Sequence, residues 1–459
     1  MTSYSEQLSD WVSGLSFRDI PADVAESTRL RILDVIGLAL AGTATDFGES
    51  VRRATIAMNP AGPSHILGTG ESTSVAAAAF VNGAMSQALE YDDTHNESIV
   101  HMSSPSVAAA LALSESRPIT GKQMITAIAL GSEISCRVGS VAPGQFHSRG
   151  FHPTGLFATF GSAYLAGYLL GLDREQFTNA AGIAGSFASG ILECWVDGTQ
   201  SKFLHPGWAA QSGIAAAFLA GAGTTGPRAV FEGRFGLLAS HLQDPNAARN
   251  FARITDGLGK KWDSRKASLK PYPAAHVIHP YIDALLKLRS LHTIDPNDVQ
   301  EIVCPVAGYI APIVCEPVNE KRRPKSDSHG RVSLQYTLAE ALFYGRLGKD
   351  AYQRTARENR SILDLADRIT YKVDPTFPPP GQFKGLVKVF LKNGASLEGI
   401  EENNRGSAEN PMTREEILAK FEENAATILA PSATRALIEA VSSLETSNDA
   451  SELVRLSIR

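Results

Sequence analysis

A chain of 459 residues, 43% hydrophobic and 20% charged, can bury a large core and is expected to divide into two domains. Its formal net charge of -5, with Lys and Arg scattered along it, argues against a nucleic-acid or anionic-membrane partner, so any cationic pocket must be local. The four cysteines form no CxxC pair, the N-terminus lacks a basic and then apolar region, and no run of about 18 apolar residues occurs, so a cytoplasmic protein without a disulfide framework is expected.

Taken in order, Ser5 to Gly14 and Pro21 to Leu40 carry helical apolar spacing, the second ending at an Ala41-Gly42 break. Thr73 to Leu89 is an Ala-rich run behind a Ser72/Thr73 cap signal, and Val107 to Ser114 is another that begins after Pro105. Between them lies the polar stretch Glu90 to Ser104, with two adjacent Asp, two His, a Tyr and several hydroxyls. Titratable groups held against an apolar scaffold are candidates for acid/base work, although Asp and Asn in such a connection can equally serve turns and caps. Thr120 with Gln123 forms a capping box before a helix to about Val138, and Thr154 to Leu170 is a Gly/Ala/Phe-rich helix.

Strand signals are scarce before about residue 262. Beyond it, Val299 to Val306 and Arg368 to Val373 read as strands, and Leu386 to Leu391 with Ala395 to Ile400 read as a hairpin around Asn393-Gly394, suited to a type I′ turn. With helices over Pro280 to Arg289 and Leu334 to Phe343, this predicts an α+β unit with antiparallel pairing. A capping box at Thr413 and Glu416 opens a helix to about Leu429, and Ala433 to Leu444 is helical again. The expected division is a helical domain over 1–262, an α+β lid over 263–411, and C-terminal helices over 412–459 that return to the first domain.

Further polar clusters sit at helix ends: His147 to Thr154 with His152, Gly198 to Gly207 with Lys202 and His205, Lys270 to Pro280 with Tyr272, His276 and His279, and Ser326 to Tyr336 with Arg331. His276 and His279 lack a carboxylate or Cys at ligand spacing, so no metal site is expected.

In this order, Tyr91-Asp-Asp-Thr-His95 with His101, Phe151-His-Pro-Thr-Gly155, Gly198-Thr-Gln-Ser-Lys202 with His205, Lys270-Pro-Tyr-Pro273 and Ser333-Leu-Gln-Tyr336 resemble the motifs of the MmgE/PrpD family across nearly the whole chain. The resemblance implies a mainly α fold, a large all-helical domain plus a smaller α+β lid with the active site between them, usually as a homodimer, and a cofactor-independent enzyme. The family includes 2-methylcitrate dehydratase, cis-aconitate decarboxylase and iminodisuccinate epimerase. Here His101-Met-Ser-Ser-Pro105 departs from the His-Pro-Ser-Asp-Asn-like segment of the bacterial dehydratases, and Gly198 to Lys202 is more similar to the decarboxylase and epimerase branch.

By motif, the resemblance places Asp93, His101, His152, Lys202, Lys270 and Tyr336 as catalytic residues, with His205, Tyr272, His276 and Arg331 binding substrate. It implies a lyase acting on a citrate- or aconitate-like polycarboxylate, with an epimerase of iminodisuccinate type or an inactive carboxylate-binding or assembly protein as alternatives. The residue types suit that chemistry. Dehydration, decarboxylation and epimerisation beside a carboxylate each pass through a carbanion- or enolate-like state, which cationic donors in a closed site stabilise.

Overall fold

The computed structural model describes residues 2–459. Its helical layer opens with α1 (Tyr4–Gly14), whose Ser3 and Glu6 form a reciprocal capping box, followed by α2 (Ala22–Thr43) and α3 (Asp46–Met58). The helix α2 does not break at Ala41-Gly42. Gly42 instead lets it approach the Met85 backbone, where a Cβ would collide. The Ser72/Thr73 signal also reads differently in three dimensions, because β1 (Ser64–His65) and β2 (Ser72–Thr73) pair as an antiparallel ladder. The hydroxyl of Ser74 takes the capping role, accepting from the Ala77 amide at the start of α4 (Val75–Gln87).

After the polar loop, α5 (Ser103–Ser114) begins earlier than expected and absorbs Pro105 in its first turn, where the missing N–H leaves no helical bond unmade. The helix α6 (Gly121–Gly139) starts on the Thr120/Gln123 capping box. Next come the short α7 (Gln145–Ser148), α8 (Pro153–Leu170), α9 (Arg174–Phe187), the short α10 (Cys194–Asp197) and α11 (His205–Gly221). Small residues let α11 pack on both α8 and α4. Gly83 faces Gly207, and a side chain at Gly207 would strike the Phe80 carbonyl.

The apolar residues of this layer form one core, from Leu8 to Ala267, which Phe421 and Leu437 rejoin from the C-terminal α19 and α20 (Arg414–Ala425 and Pro431–Ser442). Lys420 of α19 lies 2.7 Å from Asp34 of α2 and donates to the Tyr91 carbonyl at 2.9 Å, tying the returning helix to the polar loop.

A second core runs from Tyr272 to Val389. It packs α13 (His279–Leu291) and α16 (Leu334–Tyr344) on a four-stranded sheet in the order β6-β5-β7-β8: Ile369–Val373, Val299–Val306, Gly385–Leu391 and Ser396–Glu401. The sheet is mixed, since β5 and β6 are parallel and the rest antiparallel. The long helical crossover between β5 and β6 is what a parallel pair requires. The hairpin also departs from the type I′ expectation. Gly394 donates to the Leu391 carbonyl and carries a φ of 88°, whereas Asn393 is not among the residues with positive φ, giving a three-residue loop with Gly in the left-handed position. A short ladder, β3 (Thr94–His95) with β4 (Ala267–Ser268), joins the polar loop to the chain entering the second core.

Candidate active site

The polar loop is buried and its backbone is constrained. Glu90 and Ile99 have φ of 53° and 56°, a region that non-glycine residues occupy at a cost of about 1 to 3 kcal/mol unless the surroundings enforce it. What enforces it at Glu90 is a pair of lysines. Lys202, from the turn Ser201–Leu204, donates to both carboxylate oxygens at 2.5 and 2.6 Å. Lys270, just beyond β4, donates to the Glu90 carbonyl at 3.0 Å and to its carboxylate at 3.2 Å. Burial would raise the Glu90 pKa, but Lys202 and then Lys270 outweigh it and hold the carboxyl well below the usual range. Burial lowers the Lys270 pKa, while Glu90 and then Asp92 oppose the shift.

The histidines beside this triad are neutral. Burial, reinforced by Lys270 and Lys202, drives the His101 pKa well below its ordinary value. Its Nδ1 lies 2.8 Å from the Asp93 carbonyl, which can only accept, so the single proton sits on Nδ1 and Nε2 is left as a base. The His152 Nδ1 meets the His205 Nδ1 at 2.8 Å, and the rings of His101 and His152 are 5.5 Å apart. Burial pushes His152 well below its usual range and takes His147 and His205 down to about 4.

Two adjacent aspartates have opposite surroundings. The carboxylate of Asp93 pairs with Arg31 of α2 and accepts from the Ser103 hydroxyl and amide at the start of α5, at 2.5 and 3.2 Å. Asp92 accepts from Gln87 and Ser104 through Oδ2, while its buried Oδ1 has no hydrogen bond although it lies 3.4 Å from His101 Nδ1 and 4.0 Å from Lys270 Nζ. Burial raises the Asp92 pKa to about 7 against the pull of Lys270.

Glu90, His101, His147, His152, Lys202 and Lys270 line one side of a cavity of about 410 Å³ between the two cores, with Trp195, Val277, Tyr309, Ile313 and Phe383 on the apolar remainder. The volume falls in the range of small-molecule sites. Four lining residues carry buried polar atoms without a protein partner: His152 Nε2, His276 Nδ1, Trp195 Nε1 and Tyr309 Oη. Such atoms are rare in folded proteins, and their convergence suits a polar ligand. Among the described residues, no group of three or more His, Cys, Asp or Glu is placed to hold a metal ion, and no helix is long and apolar enough to cross a membrane.

Of the ten residues singled out from sequence, His101, His152, Lys202, Lys270 and His276 line the cavity, and His205 stands behind His152. The other four do not line it. Asp93 is held by Arg31 and the α5 terminus. The Tyr336 hydroxyl donates to the Ala351 carbonyl at 2.8 Å inside the second core. Tyr272 donates to Asp283 at 2.8 Å. Arg331 spends one nitrogen on the carbonyls of Leu89 and Pro273, both at 2.9 Å, and its guanidinium sits over Tyr352. It therefore braces the backbone just before Glu90. Sequence reasoning missed Glu90, Asp92, His147 and Tyr309. Glu90 opened the stretch already singled out; Tyr309 had no local signal.

A mainly helical two-domain protein, with a cavity of lysines and neutral imidazoles between its cores, is the class this architecture defines. Residues 6–250 match the MmgE/PrpD N-terminal domain and residues 272–446 the MmgE/PrpD C-terminal domain, and the chain belongs to the MmgE/PrpD family. It is similar to the cis-aconitate decarboxylase-like protein oryM of Aspergillus oryzae, at 28% identity over 98% of this chain and 96% of that protein. Cis-aconitate decarboxylases of Aspergillus terreus and Mus musculus are 27% and 26% identical, over 98% and 99% of this chain and 95% and 93% of theirs.

Proposed function

We propose that the protein is a lyase acting on a small polycarboxylate, decarboxylating a cis-aconitate-like substrate or dehydrating a citrate-like one. The observation that carries this reading is the Glu90-held pair Lys202 and Lys270 lining one cavity with His101, whose Nδ1 is bonded to the Asp93 carbonyl so that Nε2 is left unprotonated. The relatives named as cis-aconitate decarboxylases support it. In keeping with the family resemblance, the reading includes a cytoplasmic homodimer that uses no cofactor.

A substrate carboxylate docks on Lys202 and Lys270 through charge-assisted bonds. Its negative charge favours the imidazolium form of His101, which picks up a proton as the polyanion binds. In decarboxylation the carbon–carboxylate bond breaks, CO2 leaves, and the electron pair delocalises into the neighbouring unsaturated carboxylate, where cations and neutral donors stabilise it. The His101 Nε2–H then protonates the carbon and solvent restores the proton. In dehydration the neutral ring instead removes the carbon-bound proton at Nε2, and the imidazolium so formed returns that proton to the departing hydroxyl, which leaves as water.

The test is a panel of cis-aconitate, citrate, 2-methylcitrate and iminodisuccinate, followed for CO2, alkene absorbance and optical rotation, with the parent and His101→Gln. Turnover of a polycarboxylate with at least about a hundredfold fall in kcat for His101→Gln and little change in KM is expected. Solvent deuterium entering recovered substrate without elimination or CO2 loss would replace the lyase with an epimerase, and a near-normal kcat for His101→Gln would remove His101 from the chemistry.

A further inference from the structure

The loop that leaves the sheet and leads to α19 contributes one buried side chain close to the cavity, Asn404, 2% exposed. Its Nδ2 lies 2.8 Å from Nε2 of the cavity-lining His276. Its Oδ1 accepts from Asn96 Nδ2 at 3.4 Å, and Asn96 Oδ1 accepts from the Ser268 hydroxyl at 3.0 Å. The amide thus touches the polar loop, the β4 segment and the second core at once. Its sense is set by the Arg405 carbonyl, which can only accept and lies 3.5 Å from Nδ2; the reversed amide would bring two oxygens together there.

We infer that Asn404 is a positioning residue, which by donating to Nε2 holds His276 as the tautomer protonated on Nδ1 and so makes its ring a neutral hydrogen-bond donor to substrate oxygen. Two further observations fit. His276 Nδ1 is buried and has no partner in the protein, as a donor kept for a ligand would be. The ring is also fixed in place, edge-on to His279 at 4.9 Å and to Phe383 at 5.2 Å.

The groups around it keep it uncharged. Burial, then His279, Lys270, His101 and Lys420, drives its pKa well below the ordinary histidine value. A neutral donor suits an oxygen that gains charge only as the reaction proceeds, because it competes little for the substrate in its ground state. His276 is thereby separated from His101, whose proton sits on the ring nitrogen away from its reactive one and which exchanges protons rather than holding one. This assignment of His276 to substrate oxygen rests on the polycarboxylate reading, whereas the tautomer and its control by Asn404 do not.

Long-range proton–nitrogen correlation spectra of protein labelled with 15N-histidine, with His276→Gln to assign the signals, test the tautomer in the resting enzyme. Protonation on Nδ1 in the parent is expected, with protonation shifting to Nε2 in Asn404→Asp, whose carboxylate can only accept. A parent signal protonated on Nε2, or the same pattern in both proteins, would overturn the inference whether or not any substrate turns over.

With cis-aconitate, or with whichever acid of the panel is turned over, Asn404→Asp should lower kcat by about tenfold to a hundredfold with a smaller change in KM. It should have no further effect in a His276→Gln background, in which the donor no longer depends on a tautomer. Additive losses would show that Asn404 serves only the fold and would also overturn the inference. Failure of the whole panel would count against the polycarboxylate reading while the spectra still decide the tautomer.

Discussion

Glu90→Gln is the most informative single perturbation, because it removes the one carboxylate that both cavity lysines share. Glu90 is 4% exposed, Lys202 6% and Lys270 0%, so none of the three charges can be rehydrated without opening the cavity. Removing one partner of a buried pair costs about 3 to 5 kcal/mol, since the remaining charge is left without compensation. Relief of the left-handed strain at Glu90 gives nothing back, as Gln has the same Cβ.

For a transition involving roughly 150 to 250 residues, each kcal/mol moves Tm by about 2 to 4 °C, so the expected fall is about 6 to 20 °C. Differential scanning calorimetry at pH 7 reads it, and because the charges are buried the shift should persist at high salt. The pH dependence has a defined sign. In the variant, the folded-state pKa of Lys270, already lowered by burial, falls further without Glu90. The unfolded chain then binds more protons than the folded one over a wider window, and stability rises with pH until the free-lysine value is passed. The deficit should therefore narrow as pH increases. Adding Lys202→Met should restore part of the loss by deleting an unpaired charge. A Tm within about 2 °C of the parent at pH 7 would refute the idea that Glu90 compensates the two lysines.

Lys202→Ala and Lys270→Ala should each weaken substrate binding by about tenfold or more, the worth of a charge-assisted bond of roughly 1.5 to 3 kcal/mol, and unchanged kcat/KM in both would remove them from the site. Asp92→Asn tests the raised carboxyl. A folded pKa near 7 means that the parent loses stability as pH rises from the free-carboxylate range through about 7, by an amount on the order of 4 kcal/mol. The variant should show a flatter unfolding free energy between pH 4 and 8, gaining on the parent up to about pH 7 and holding that gain above it, and parallel pH curves would contradict this placement of Asp92.

The parts of the fold visible in the sequence were those written in local pattern. Two Ala-rich runs around a polar stretch announced a loop clamped between helices, and the capping boxes at Thr120 and Thr413 marked real helix starts. His101, His152, Lys202 and Lys270 stood in recognisable short motifs, and the structure brings them to one cavity. Choices set by distant residues were not visible. Asp92 and Asp93 are indistinguishable by spacing, and what separates them is Arg31, 62 positions earlier on α2. Tyr336 falls in a motif, yet its place in the first turn of α16 carries its hydroxyl into the second core, while Tyr309, beyond the end of β5, lines the cavity. Asn404 could not be found from sequence, because a loop asparagine reads as a turn residue until its buried partners are known.

Three carboxylates within four residues, Glu90, Asp92 and Asp93, thus take three different charge environments, and the difference bears directly on the chemistry. Glu90 is committed to Lys202 and Lys270, whose charges hold its carboxyl well below the usual range against burial, and Asp93 pairs with Arg31. Burial, with the charges of Glu90 and Asp93 beside it, pushes Asp92 up to about 7 against the opposing pull of Lys270 and Lys202. With Asp92 protonated, the cations Lys202, Lys270 and Arg31 exceed the anions Glu90 and Asp93 by one; with Asp92 ionised, the buried cluster is neutral. On the polycarboxylate reading, a polyanion meets a net positive cluster when Asp92 holds its proton, and its arrival strengthens that hold in the same way that it favours protonation of His101 3.4 Å away. On the proposed lyase reading, substrate binding and proton uptake are in this way the same electrostatic event, and in decarboxylation the proton that decides the product is gathered before the carbon–carbon bond breaks.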